Sequence, residues 1–238
     1  ANRPRHPSCC ELFQDGNILL KHALSMDSTS TLFADVVPLF PLSGTILLPD
    51  TVLPLHIFEP RYRQMVEYAS EKEMVIGMIQ PIQQDSEGLY QTGCLGKIEQ
   101  LQQLPNGNYM IQLHGAIRFN MVRELEADTL YRQAQVDYTS YEQDLDDQSL
   151  NENPQKLYDT FRRYTEKKFI QIEWKKIEAI PVHYLVNILC MNLDFSCTEK
   201  QALLEAKNLA MRWECLLTLM EMAVAETTSG ETPNVQIN

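Results

Sequence analysis

The spacing of apolar residues changes once along this chain of 238 residues, and that change constrains the fold more than any other feature. Between Phe33 and Tyr138 the period is two. Tyr109, Ile111 and Leu113 alternate with Met110, Gln112 and His114; Ile117, Phe119 and Met121 alternate with Arg118 and Asn120; Ala134, Val136 and Tyr138 alternate with Gln133, Gln135 and Asp137. Successive side chains leave a strand on opposite sides, so alternation of this kind belongs to strands with one face buried. Beyond residue 152 the period becomes 3.6. Leu157, Tyr158, Phe161 and Tyr164 follow Pro154, Tyr184, Leu185, Ile188 and Leu189 follow Pro181, and Leu209, Trp213, Leu216, Leu217, Met220 and Val224 line a last long segment. These are helices with one buried stripe. Between the two regimes, residues 137–152 carry Asp137, Glu142, Asp144, Asp146, Asp147 and Glu152 with no Lys or Arg, which reads as a solvated connector. The chain is therefore expected to be α+β. A β subdomain occupies 33–138, an acidic connector 139–152 and a helical subdomain 153–226, with a partly disordered extension at 1–32 and a disordered tail at 227–238.

Local signals refine this outline. Pro105-Asn106-Gly107 separates two strand-like runs, and Asn-Gly supplies the positive φ angles of a tight hairpin turn. Ile98, Leu101 and Leu104 recur every third residue, which predicts a bulge or kink near Gly93 or Gly96. One helix interrupts the β region: Pro60 suits a first helical position, and Tyr62, Met65, Val66 and Ala69 then form a buried stripe. Thr198 with Gln201 three residues later has the form of a capping box.

Several classes of chemistry are excluded. The only Gly-Lys pair, Gly96-Lys97, lacks the rest of a phosphate-binding loop, so neither ATP binding nor hydrolysis is expected. No serine sits in G-x-S-x-G, and the histidines His6, His22, His56, His114 and His183 are scattered, so no catalytic residue, metal or cofactor is assigned. The six cysteines form no C-x-x-C pair and read as reduced thiols. A net charge of -12 opposes general affinity for phosphate backbones, so nucleic acid is not an expected partner. No run approaches the roughly 18 apolar residues of a membrane span, and no membrane partner is expected. A cytoplasmic protein is the resulting expectation.

Two charged features remain open. Arg118, between Ile117 and Phe119, is either a polar-facing strand residue or a fixed cation pairing with a carboxylate such as Glu59. Between Pro154 and Lys176 seven basic residues interleave with Tyr158, Phe161, Tyr164 and Phe169. The aromatics fall largely on the apolar stripe, which favours a core face plus a solvated basic face over a surface for nucleic acid or an acidic partner.

The run Pro38-Leu39-Phe40-Pro41-Leu42, then Leu47-Leu48-Pro49, then Leu53-Pro54-Leu55-His56-Ile57-Phe58-Glu59-Pro60-Arg61-Tyr62 resembles the opening signature of the N-terminal, substrate-binding domain of Lon proteases. Gly93–Ile98, Leu104–Gly107 and Gly115–Phe119 are similar to the family's later strands in the same order, and Glu199–Ala206 with Arg212 to its helices. The resemblance covers about residues 34–225. It implies a PUA-like β-barrel or sheet subdomain followed by a helical bundle, and a stand-alone form without ATPase and peptidase parts. It further implies a non-catalytic module that binds unfolded or partner protein segments, with the role of an adaptor among those open to it. Two other classes stay in view: an RNA-binding PUA-like protein and an enzyme with an unrecognised small-molecule site.

Candidate binding residues concentrate at the strand-to-helix junction Leu53–Tyr62. There His56, Phe58, Glu59, Arg61 and Tyr62 combine aromatic and charged groups, and Arg118 is added as a possible rigidifying cation. Either Phe58 and Tyr62 staple the helix to the sheet, or they form an apolar floor with Glu59 and Arg61 as a polar rim for an extended peptide.

Overall fold

The computed structural model describes residues 34–82, 88–146 and 150–226; the expected N-terminal extension and C-terminal tail lie outside these. Six strands form: β1 (Val36–Pro41), β2 (Val52–Ile57), β3 (Val75–Pro81), β4 (Leu89–Gln103), β5 (Tyr109–Leu125) and β6 (Arg132–Asp137). Their order is β2-β5-β4-β3-β1-β6, and β6 pairs back onto β5, so five strands close a ring and β2 lies outside it. Closure is possible because β5 is 17 residues long. Its first half pairs with β2 and its second half with β6. β1 and β3 run parallel, whereas the other pairs are antiparallel.

The inside of the ring is filled by the inward residues of the alternating strands: Val37 and Leu39, Ile117 and Phe119, Ala134 and Val136. Phe119 sets the spacing. A Cβ on Gly93 would stand 2.4 Å from the Phe119 ring, so the β4 backbone approaches that ring only because residue 93 has no side chain. The expected irregularity in β4 is present as a register shift between Leu95 and Gly96, with a second between Ile98 and Gln100. The expected hairpin turn is also present. Gly107 has φ 79°, its N–H donates to Leu104 O at 2.9 Å, and Leu104 N–H donates to Asn108 O at 2.8 Å.

Helix α1 (Pro60–Ser70) crosses between β2 and β3 with Pro60 in its first turn and buries Tyr62, Met65, Val66 and Ala69, the stripe read from the sequence. The second half contains α2 (Pro154–Lys167), α3 (Trp174–Glu178), α4 (Val182–Asn192), α5 (Cys197–Glu205) and α6 (Leu209–Glu226). Their stripes do not form a separate core. Phe161, Tyr164, Leu185, Leu189, Trp213 and Leu216 share one apolar cluster with Leu47, Leu48, Leu55, Ile57 and Met65 from the β half. Hence the chain is a mixed α+β fold in which the helices cover the outside of the barrel.

Two local readings are corrected. The capping box of α5 is built by Ser196 and Glu199, two residues earlier than Thr198 and Gln201. Glu199 accepts from both the Ser196 N–H and hydroxyl at 2.7 Å, and Gln201 instead turns inward to donate to Thr92 O at 3.1 Å. Where a solvated connector is expected, Thr139–Leu145 folds as a 3-10 helix with Tyr141 and Asp144 buried. Asp144 is buried because it meets Arg118.

Candidate functional site

The junction Leu53–Tyr62 starts on an edge strand. Among the described residues β2 pairs only with β5, in the register His56 opposite Met110 and Pro54 opposite Gln112. Leu55 and Ile57 therefore point into the core while Pro54, His56 and Phe58 share the outer face with Met110. Phe58 is 45 % exposed, and its ring centroid lies 5.7 Å from that of His56. The His56 Nε2 is 3.3 Å from Asn108 Nδ2, which ties the imidazole to the hairpin turn. The result is a small apolar strip of Pro54, Phe58 and Met110 with one polar ring in it. Pro54 has no N–H to offer along the free edge, a device that discourages pairing with another strand.

At the end of the strip the chain enters α1. Arg61 donates to Glu59 through Nε at 2.9 Å and lies within 2.8 Å of it through Nη2. The same guanidinium sits 4.5 Å above the Tyr62 ring. Glu59 and Arg61 therefore form a solvent-accessible pair, already neutralised by each other. Tyr62 is different. It is 7 % exposed and its ring lies 4.3 Å from Phe40, with burial as the main cause that pushes its phenol up. Tyr62 fastens α1 to the sheet and offers no floor to a ligand, whereas Phe58 is accessible.

Arg118 does not join this surface. It is 1 % exposed, and it holds Asp144 through Nε at 2.8 Å and Nη2 at 2.7 Å. Its backbone N–H also donates to Asp144, its Nη1 donates to Leu204 O and Ala206 O, and Nη2 to Lys207 O. The Tyr141 ring stacks 4.2 Å away. A carboxylate partner exists, but it is Asp144 rather than Glu59. Sequence reasoning missed Met110 as a member of the outer strip, because its place opposite His56 is set by the long-range β2–β5 register and not by the hairpin turn. Among the described residues no cluster of His, Cys, Asp and Glu could hold a metal, and no helix is long and apolar enough to cross a membrane. Surface clefts of about 210 Å³ beside Val36 and Tyr68 and about 530 Å³ at Glu124–Arg132 lie away from the strip.

Comparison with known proteins places this architecture. A family model described as the ATP-dependent protease La (LON) substrate-binding domain matches residues 36–222. Lon protease 2 of Myxococcus xanthus is 27 % identical over 194 residues, and Lon protease 2 of Desulfotalea psychrophila is 29 % identical over 210 residues. These alignments take in 78 % and 80 % of this chain but only 23 % and 26 % of the two relatives, so the chain spans about a quarter of their length. Among solved structures, the Lon N-terminal domain protein from Xanthomonas campestris superposes with a TM-score of 0.55 at 21 % identity, covering 77 % of this chain and 97 % of that one. The N-terminal domain of a Mycobacterium avium complex Lon protease gives 0.50 at 15 % identity, covering 78 % and 98 %.

Proposed function

The chain belongs to the LON substrate-binding domain family, and from that premise we propose that it is a non-catalytic module that captures exposed apolar segments of other proteins, acting as an adaptor for unfolded clients. The observation that carries the reading is the outer strip of Pro54, Phe58 and Met110, apolar and exposed on a rigid sheet inside the matched region, with Glu59 and Arg61 beside it. A strip of this size suits a few side chains of an extended peptide. Affinity would come from Phe58 as a desolvated aromatic anchor, while the rim charges would set orientation and salt dependence.

The test is binding of a fluorescently labelled, permanently unfolded client. Phe58→Ala is expected to weaken capture by about 1–2 kcal/mol without loss of stability, since the side chain is half exposed. Arg61→Ala is expected to change mainly the salt dependence. Tyr62→Ala serves as the contrast: it should lower stability, because it removes a buried ring from the α1 packing. Capture by a folded Phe58→Ala, Met110→Ala double variant equal to that of the parent would remove the strip from consideration.

A further inference from the structure

The loop joining α2 to α3 carries the most exposed large apolar side chain among the described residues: Phe169, at 93 %. Its backbone is equally unusual, with φ 55°. Phe169 N–H donates to Glu166 O and Ile170 N–H to Thr165 O, the two bonds of a Schellman closure with residue 169 in the left-handed position. That position suits Gly or Asn, and a bulky residue there is strained. Phenylalanine at this point breaks two local rules together, one of backbone conformation and one of burial. Such double violations belong to positions kept for what they contact rather than for how they fold.

The surroundings indicate what that contact is. Residues 162–176 carry six basic side chains against two acids, Glu166 and Glu173, in a chain whose net charge is -12. Elsewhere the basic face of α2 is neutralised, since Lys156 and Arg163 pair with Glu214 and Glu221 of α6. Near Phe169, Lys176 pairs with Glu173, and Arg162 lies 4.5 Å over the Trp174 ring. Lys168 and Lys175 are exposed at the surface, and Lys168 Nζ lies 6.0 Å over the Tyr164 ring. Ile170, Ile172 and Trp174 pack part-buried against the main core and make the base of the loop rigid. Phe169 thus projects alone from a fixed, cationic tip.

We propose that this tip docks on an anionic lipid bilayer, with Phe169 inserted at the level of the acyl boundary and Lys168 and Lys175 against the headgroups. Phe169 is 93 % exposed, so a rigid protein partner would have to supply the whole pocket for it, whereas a bilayer deforms around a single inserted ring. One aromatic side chain and a few lysines match the two-component rule for peripheral membrane attachment, an apolar insertion plus electrostatic attraction. The negative charge of the rest of the molecule repels the same surface and fixes the orientation tip-first. Among the described residues no helix is long and apolar enough to cross a membrane, which bears on spanning and not on this mode of contact.

The experiment is sedimentation of the full chain with vesicles of phosphatidylcholine alone and with vesicles in which phosphatidylglycerol makes up half of the lipid, at low and physiological salt. Binding is expected only with the anionic vesicles, weakened by salt. Lys168→Gln and Lys175→Gln should each reduce partitioning about fivefold. Phe169→Gly should reduce it at least about fivefold while raising the melting temperature, because glycine relieves the strained φ. Phe58→Ala should leave vesicle binding unchanged, which separates this surface from client capture. Equal binding to both kinds of vesicle, or undiminished binding by Phe169→Gly, would overturn the proposal. So would a Phe169→Gly protein of lowered melting temperature, or preference of the tip for a soluble polyanion such as polyglutamate or an RNA oligomer over the vesicles.

Discussion

Among the described residues three cations and one carboxylate are buried: Arg118, Lys200 and Arg212, and Asp144. Carbonyl groups at helix C-termini make this tolerable. Lys200 Nζ donates to Met191 O at the end of α4, Arg118 to Leu204 O and Ala206 O at the end of α5, and Arg212 Nε to Leu203 O. Each cation meets the negative end of a helix dipole and satisfies carbonyls that have no partner within their own helix. Asp144 adds a full negative charge, paired with Arg118. Asp144→Asn would leave the Arg118 guanidinium in the core without its counter-ion, and a loss of about 3–5 kcal/mol is expected in urea unfolding. Glu59→Gln, which breaks the exposed pair with Arg61, should change stability by about 0.5 kcal/mol or less. Equal effects of the two substitutions would mean that the buried pair does not hold the 3-10 helix to β5. Little of this was legible in the sequence. Arg118 and Asp144 are 26 residues apart, and Asp144 stands in a run of acids that look alike until the segment bends at Tyr141 and buries Tyr141 and Asp144.

Elements were more legible than their partners. α1 was readable in full because Pro60 and its four-residue stripe are local signals, and the β4–β5 hairpin because Asn106-Gly107 dictates its turn. α5 shows where local reading stops. Ser196…Glu199 and Thr198…Gln201 both satisfy the same pattern, and the choice depends on charge and on what the second residue does elsewhere. Glu199 is an acidic residue in the first turn, where the dipole favours it, whereas Gln201 is needed inside, donating to Thr92 O and accepting from Gln80 Nε2 at 3.1 Å. Ser196→Ala is therefore expected to cost about 1 kcal/mol in chemical denaturation, the usual value for a lost N-cap. Thr198→Ala, just inside the helix, should be close to neutral. The reverse ranking would restore the later box. The candidate surface divides in the same way: the chemistry of the residues was readable at Leu53–Tyr62, but which of Phe58 and Tyr62 faces water depends on the packing of α1 against Phe40.

At the scale of the whole molecule, burial has also placed many proton-holding groups in the core, and this makes stability sensitive to alkali. Burial pushes the Cys94 thiol far up and the Cys190 thiol up to about 12, and it raises the phenols of Tyr62, Tyr131, Tyr138 and Tyr184. In the unfolded chain these thiols release protons near pH 8.5 and the phenols near pH 10. Each such group therefore contributes stability that is fully present below its unfolded pKa. That contribution is lost as pH rises toward the folded value, because only the unfolded chain gains by deprotonation. Arg212 acts in the opposite sense. Burial pulls its guanidinium down to about 10, so its cost to folding is relieved above that pH, but it is one group against six. Rising pH also adds negative charge to a chain already at -12, which increases self-repulsion in the compact state. The melting temperature is expected to be flat between about pH 7 and 8.5 and to fall steeply above about pH 9, each group adding up to about 1.4 kcal/mol per pH unit to the slope. Added salt should recover the part due to repulsion and leave the part due to buried thiols and phenols. A melting temperature that stays level to about pH 11 in low salt would mean that these side chains reach water in the folded protein, contrary to the burial on which the whole packing account depends.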